Sequence, residues 1–99
     1  MLKLLKEWII PKVEPLNPSG PVKPYITVRA NNALFRAFIE RGSVFRPKYD
    51  LTVGEFLQIM SEETDKRLLR ISNFGKISLE RCRKIEPKLR KRVEAFNDD

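Results

Sequence analysis

Residues 68–82, reading LLRISNFGKISLERC, place a tight turn between two short amphipathic segments and ring it with cations. Residue types of this kind, so spaced, hold phosphate. Asn73 and Gly75 tolerate the positive or otherwise unusual backbone angles of a turn, and a glycine without a side chain lets a flat polyanion approach the main chain. Ser78 falls at the start of the following helix, where unpaired N–H groups and the positive end of the helix dipole favour an anion. Lys76 adds a mobile charge at the same place.

Other chemistries lack their parts. The chain has one Cys and no His, which excludes a disulfide framework and argues against zinc. No serine stands beside a general base, so hydrolytic and acyl-transfer chemistry is not expected and the chain reads as a non-enzyme with no cofactor. Asp50, Glu62, Glu63 and Asp65 read as loop and helix-start acids that suit the helix dipole, rather than as a divalent-cation cluster. Cys82, at an apolar position of a helix, reads as a small core residue.

Charge is unevenly distributed. The net charge is +7, yet between residues 66 and 92 eleven Lys or Arg stand against Glu80 and Glu86 alone, leaving nine basic and eleven acidic groups elsewhere. Such segregation favours a polyanionic partner.

The elements that must carry these residues follow from periodicity and punctuation. Residues 1–24 contain five of the seven prolines and form an expected proline-rich, extended N-terminal arm, with Leu2, Leu5, Trp8 and Ile9 at helical spacing inside it. Residues 25–99 form the expected helical domain. Its first helix spans about 28–41, with Thr27 as N-cap, Gly42 as stop and an apolar stripe of Val28, Leu34, Phe35, Phe38 and Ile39. Arg29 and Asn32, three apart, share a face of its first turn. Residues 43–50 read as a loop carrying Phe45, Arg46, Lys48 and Tyr49. Thr52 and Glu55 make a capping-box pattern before a short second helix. Ser61 or Thr64 caps a third that ends near Ile71 and buries Leu68, Leu69 and Ile71. A fourth carries Leu79, Cys82, Ile85, Leu89, Val93 and Phe96, and Pro87 calls for a kink or a fresh start within it.

The run 68–79, together with residues 26–34 (ITVRANNAL), resembles the C-terminal domain of the bacterial RNA polymerase alpha subunit. The similarity covers roughly residues 25–85. It implies an all-α fold, a compact bundle of four or five short helices with a helix-hairpin-helix, of the SAM-like class. It further implies binding to the minor groove of A/T-rich double-stranded DNA with little sequence specificity, and contacts with RNA polymerase or transcription factors. By position, the family's DNA-contacting arginine and asparagine fall on Arg29 and Asn32, and the glycine and serine of its hairpin on Gly75 and Ser78. A second contacting lysine is replaced by Ile77 and a glutamate contact by Arg81, with Lys76 and Arg81 supplying charge nearby. The connection after Asn32 is about ten residues longer than in the family.

The expected DNA-binding set is therefore Arg29, Asn32, Gly75, Lys76, Ser78 and Arg81, with Lys84 and Lys88 as additional phosphate contacts. The alternative is an interaction adaptor that binds a transcription factor or polymerase subunit without DNA, anchored by Trp8, Phe45 and Tyr49. The opening MLKLLKEWIIPKVEP is interrupted by Lys3, Lys6 and Glu7, falls short of the roughly 20 apolar residues of a membrane span, and lacks the pattern of a secretory signal. A cytoplasmic location and no membrane partner are expected.

Overall fold

The computed structural model describes residues 13–40 and 50–98. Four helices order them: α1 (Val28–Leu34), α2 (Val53–Glu62), α3 (Asp65–Leu68) and α4 (Lys76–Asn97). The described residues hold no β-strand, and the fold is all-α. None of these helices is long and apolar enough to cross a membrane.

Three helices start at a threonine whose side chain accepts a backbone N–H, offsetting one of the orphan donors at a helix tip by about 1 kcal/mol. Thr27 Oγ1 receives Ala30 N–H at 3.1 Å and Thr64 Oγ1 receives Arg67 N–H at 3.2 Å. Thr52 and Glu55 close the full reciprocal box, at 3.1 and 3.0 Å. Thr64, not Ser61, caps α3.

α1 does not simply run on. From Phe35 to Ile39 the chain widens into a π-helical turn, in which Glu40 N–H reaches back five residues to the Phe35 carbonyl. The expected end at residue 41 and the Gly42 stop lie outside the described residues, as do Leu2, Leu5, Trp8, Ile9, Phe45, Arg46, Lys48 and Tyr49.

The core joins all four helices. Leu34, Leu51, Phe56, Leu68 and Leu89 are buried almost completely, each stabilising by about 1.5–3 kcal/mol. α4 lies along α2. Arg83 and Arg90 fasten them: Arg83 donates to the Met60 and Glu63 carbonyls and to Asp65, and Arg90 donates to the Leu57 carbonyl. Glu86 receives both guanidinium groups, at 3.3 and 2.8 Å.

The chain before α1 is woven into this frame. Leu16 N–H bonds the Arg92 carbonyl at 3.0 Å, Arg92 returns a bond to Glu14 O, and its guanidinium lies 5.4 Å from the centre of the Tyr25 ring. An isolated bridge pairs Pro21 with Thr52 and buries Val22 completely. Gly54 donates to Pro18 O at 2.9 Å, a close approach in which a β-carbon would stand 3.3 Å from that oxygen.

Four expectations need correction. Val28 is 65% exposed, because it is the first residue of α1 and the buried side begins at Ala30. α3 stops at Leu68 rather than near Ile71, so Leu69 turns outward and is 46% exposed, while Phe74 in the turn takes the core position instead. The positive φ of the turn belongs to Asn73, at 66°, and Gly75 has φ −95°. Of the two alternatives at Pro87, the fresh start is ruled out, since no new helix begins there. α4 runs through the proline, which sits on its exposed side, and water can solvate the Arg83 carbonyl left without an N–H.

Candidate nucleic-acid interface

The N-cap of α4 is Gly75, and unlike the three threonine caps it offers no side chain to the helix tip. The first intrahelical bond is Leu79 N–H to Gly75 O at 3.0 Å, so the N–H groups of Lys76, Ile77 and Ser78 point forward without intrahelical acceptors. A β-carbon built on Gly75 would meet nothing within 4 Å. The glycine thus clears space for whatever approaches the main chain.

Arg29 stands beside this tip. It occupies the second position of α1 and, with Asn73, Gly75, Lys76 and Ser78, lines a shallow hollow of about 540 Å³. It is exposed and makes no ion pair among the described residues. The amino ends of α1 and α4 meet again on the far side of Ser78, where Thr27, Ser78 and Arg81 line a smaller recess of about 240 Å³.

Asn32 does not line the same hollow as Gly75. It lies in a larger groove of about 790 Å³ on the other side of Arg29, where its Oδ1 accepts from Asn31 Nδ2 at 3.1 Å. Lys84 and Lys88 line none of the three. They continue from Arg81 down the exposed side of α4, with Lys91 following, at alternating three- and four-residue steps. Ile77, at the lysine position of the resemblance, is 68% exposed and borders the hollow next to Lys76.

The eleven cations between residues 66 and 92 divide into two groups. Arg67, Arg83, Arg90 and Arg92 are engaged with Glu63, with Asp65 and Glu86, with Glu86, and with Glu14 O and Tyr25 respectively. Lys66, Arg70, Lys76, Arg81, Lys84, Lys88 and Lys91 are exposed and form no ion pair among the described residues. Charge counting alone does not separate the two groups. The signal is a seven-residue spacing: Arg83 and Arg90 flank the buried line of Leu79, Cys82 and Leu89, and the lysines lie on the opposite side.

Counting also gave no sign that arginines from separate segments gather in one groove. Arg36, seven residues after Arg29, and Arg67 and Arg70, three apart, all line the 790 Å³ groove.

The acids are dispersed. Asp50 pairs with Lys23 at 3.3 Å, Asp65 with Arg83 at 2.7 Å and Glu63 with Arg67 at 3.4 Å, while Glu62 accepts from Gln58 at 2.8 Å. Among the described residues no cluster of acids, Cys or His is placed to hold a metal ion. Cys82 is buried, and loss of water pushes its thiol up from 9.0 to about 11 despite the opposing pull of Arg83. It stays protonated and inert at neutral pH.

The arrangement presents forward-pointing N–H groups, a mobile lysine and an unpaired guanidinium within one hollow, flanked by further cations. Such a surface can hold successive phosphates. No protein-family model, curated protein or solved structure matches this chain.

Proposed function

We propose that this protein is a non-enzymatic DNA-binding protein related to the C-terminal domain of the bacterial RNA polymerase alpha subunit, acting in transcription or its regulation. The observation that carries the reading is the position of Arg29, unpaired among the described residues and sharing a hollow with the uncapped amino end of α4. The N–H groups of that end and the Ser78 hydroxyl take phosphates, Lys76 and Arg81 add charge, and Arg29 enters the minor groove. A narrow A/T-rich groove concentrates negative potential there. Readout is mostly A/T against G/C, because the minor groove presents a degenerate pattern. Four to six phosphate contacts give a log affinity against log salt slope of about −4 to −5.

A second reading has its own observation. Val28 and Ile77, 65% and 68% exposed, border the groove and the hollow that Arg29 shares, and add apolar surface there, as a protein partner requires. In that case the chain is an adaptor for a transcription factor or polymerase subunit. Binding to short A/T-rich duplexes at low salt, lost with Arg29→Ala, supports the DNA reading. DNA binding unmoved by Arg29→Ala, with protein partners lost after Trp8→Ala, supports the adaptor.

A further inference from the structure

Four cations follow one another along the open side of α4. Arg81, Lys84, Lys88 and Lys91 step down it at three- and four-residue intervals, which keeps them on one stripe over about 15 Å. All four are exposed, and none forms an ion pair among the described residues. The only acid between them in sequence, Glu86, lies on the packed side, where Arg83 and Arg90 hold it. The buried residues Leu79, Cys82 and Leu89 lie opposite, so the core does not need the stripe. Like charges at steps of about 4.5–6 Å repel, and an anionic partner relieves that repulsion.

The surroundings of the stripe narrow the partner. Glu80 and Glu94, both exposed and in no ion pair among the described residues, stand at its two ends. Ile77, 68% exposed, heads the same stripe seven residues before Lys84. A phosphate backbone is negative throughout and meets both glutamates with repulsion. A protein segment can answer each charge with its opposite. Direction points the same way: the N–H donors at the α4 tip face along its axis and the stripe faces sideways, so a stiff duplex seated on the tip would have to bend to follow it.

We propose that this stripe docks an acidic α-helix of a partner protein, laid alongside α4 and apart from the surface at its tip. The steps from Ile77 to Lys91 average about 3.5 residues, the repeat of a seam between two helices. A partner helix with carboxylates at the same steps faces the four cations, an apolar residue at one end covers Ile77, and a cation beyond each end of its acidic run meets Glu80 or Glu94. Such pairs fix register and disfavour uniformly charged partners. Exposed as they are, they contribute more to the choice of partner than to the strength of binding. The stripe serves this role whether or not the tip holds DNA.

The test is a chemical-shift titration of the labelled protein at about 20 mM salt, where screening is weak. One synthetic peptide carries four glutamates at alternating three- and four-residue steps, a lysine at each end and a leucine placed to meet Ile77. A second has the same residues with the glutamates scattered around the helix, and circular dichroism verifies that the two are equally helical. The first peptide moves the amides of residues 81–91, and the second binds about fivefold more weakly, as the loss of about two exposed ion pairs implies. The variant Lys84→Gln, Lys88→Gln, Lys91→Gln, whose unchanged melting shows that it is folded, binds the first peptide about tenfold more weakly. Equal binding of the two peptides overturns the docking seam, as does the absence of shifts along residues 81–91 of the wild-type protein. An A/T-rich duplex that moves those amides, with a salt slope smaller by about 2.7 in the triple variant at about 0.9 per contact, overturns it in favour of a phosphate backbone.

Discussion

Replacing Arg83 with glutamine separates the cations that hold the fold together from those available to a ligand. Arg83 donates to the carbonyls of Met60 and Glu63, the latter at 2.8 Å, where α2 ends and its last carbonyls lack helical partners. It also meets Asp65 at 2.7 Å and Glu86 at 3.3 Å. Hydrogen bonds from a charged donor contribute about 1.5–3 kcal/mol each, of which glutamine recovers part. The Asp65 partner is 63% exposed, so that pair adds only about 0–1 kcal/mol. The expected loss is about 2–4 kcal/mol, a fall in Tm of roughly 10–25 °C for a domain of this size. Urea melts followed by circular dichroism read the loss as a lower midpoint with an unchanged slope. DNA affinity and its salt dependence stay as in the wild type wherever the protein is folded. A loss under about 0.5 kcal/mol, with a salt slope reduced by about 1, would make Arg83 a phosphate contact and refute its assignment to the α2–α4 clamp.

Gly75→Ala leaves stability within about 0.5 kcal/mol, because φ −95° and ψ −177° suit any residue, the β-carbon meets nothing, and a stiffer unfolded chain offsets a poorer cap. Duplex affinity, read by anisotropy, drops several-fold because the methyl stands where the backbone approaches; unchanged affinity removes Gly75 from the interface. Pro87→Ala stabilises by about 2 kcal/mol in urea melts, since alanine restores the N–H bond to the Arg83 carbonyl and proline costs about 3 kcal/mol inside a helix, less what it gains by stiffening the unfolded chain. A destabilised variant would mean that α4 needs a bend there to pack on α2. For Cys82, folding keeps the thiol neutral up to about 11 whereas the unfolded chain ionises near 9.0, so above pH 9 the unfolded state binds fewer protons and stability falls as pH rises. Cys82→Ala flattens that decline between pH 9 and 11; an identical decline in both proteins refutes the assignment.

Local chemistry was legible and packing direction was not. The threonine caps depend on contacts within four residues, so the sequence carries Thr27 and Thr52 and narrows the third to Ser61 or Thr64. The outward turns of Val28 and Leu69 depend on where a helix tip meets the core, which no local pattern records. Phe74 is 2% exposed inside a polar turn because the chain must return to the core between α3 and α4. Pro87 reads as a kink or a fresh start, yet a single helix spans it, held on either side by Leu79, Cys82 and Leu89, and tertiary packing overrides the propensity for a new start. At the site, Arg29, Gly75, Lys76 and Ser78 line one hollow, with Arg81 beyond Ser78, a meeting of two distant segments that residue types alone do not specify. Asn32 falls on the other side of Arg29, in a groove whose remaining arginines come from segments more than thirty residues apart, a convergence visible only in three dimensions.

A chemical-shift titration of the labelled protein with A/T-rich and G/C-rich duplexes reports both the surface engaged and its preference. Shifts centred on Arg29, Asn32, Gly75, Lys76 and Ser78, larger at equal salt for the A/T-rich duplex, are the result expected. Perturbations confined to the far end of α4 around Phe96, or no perturbation with either duplex at low salt, would contradict the claim that the paired tips of α1 and α4 hold DNA.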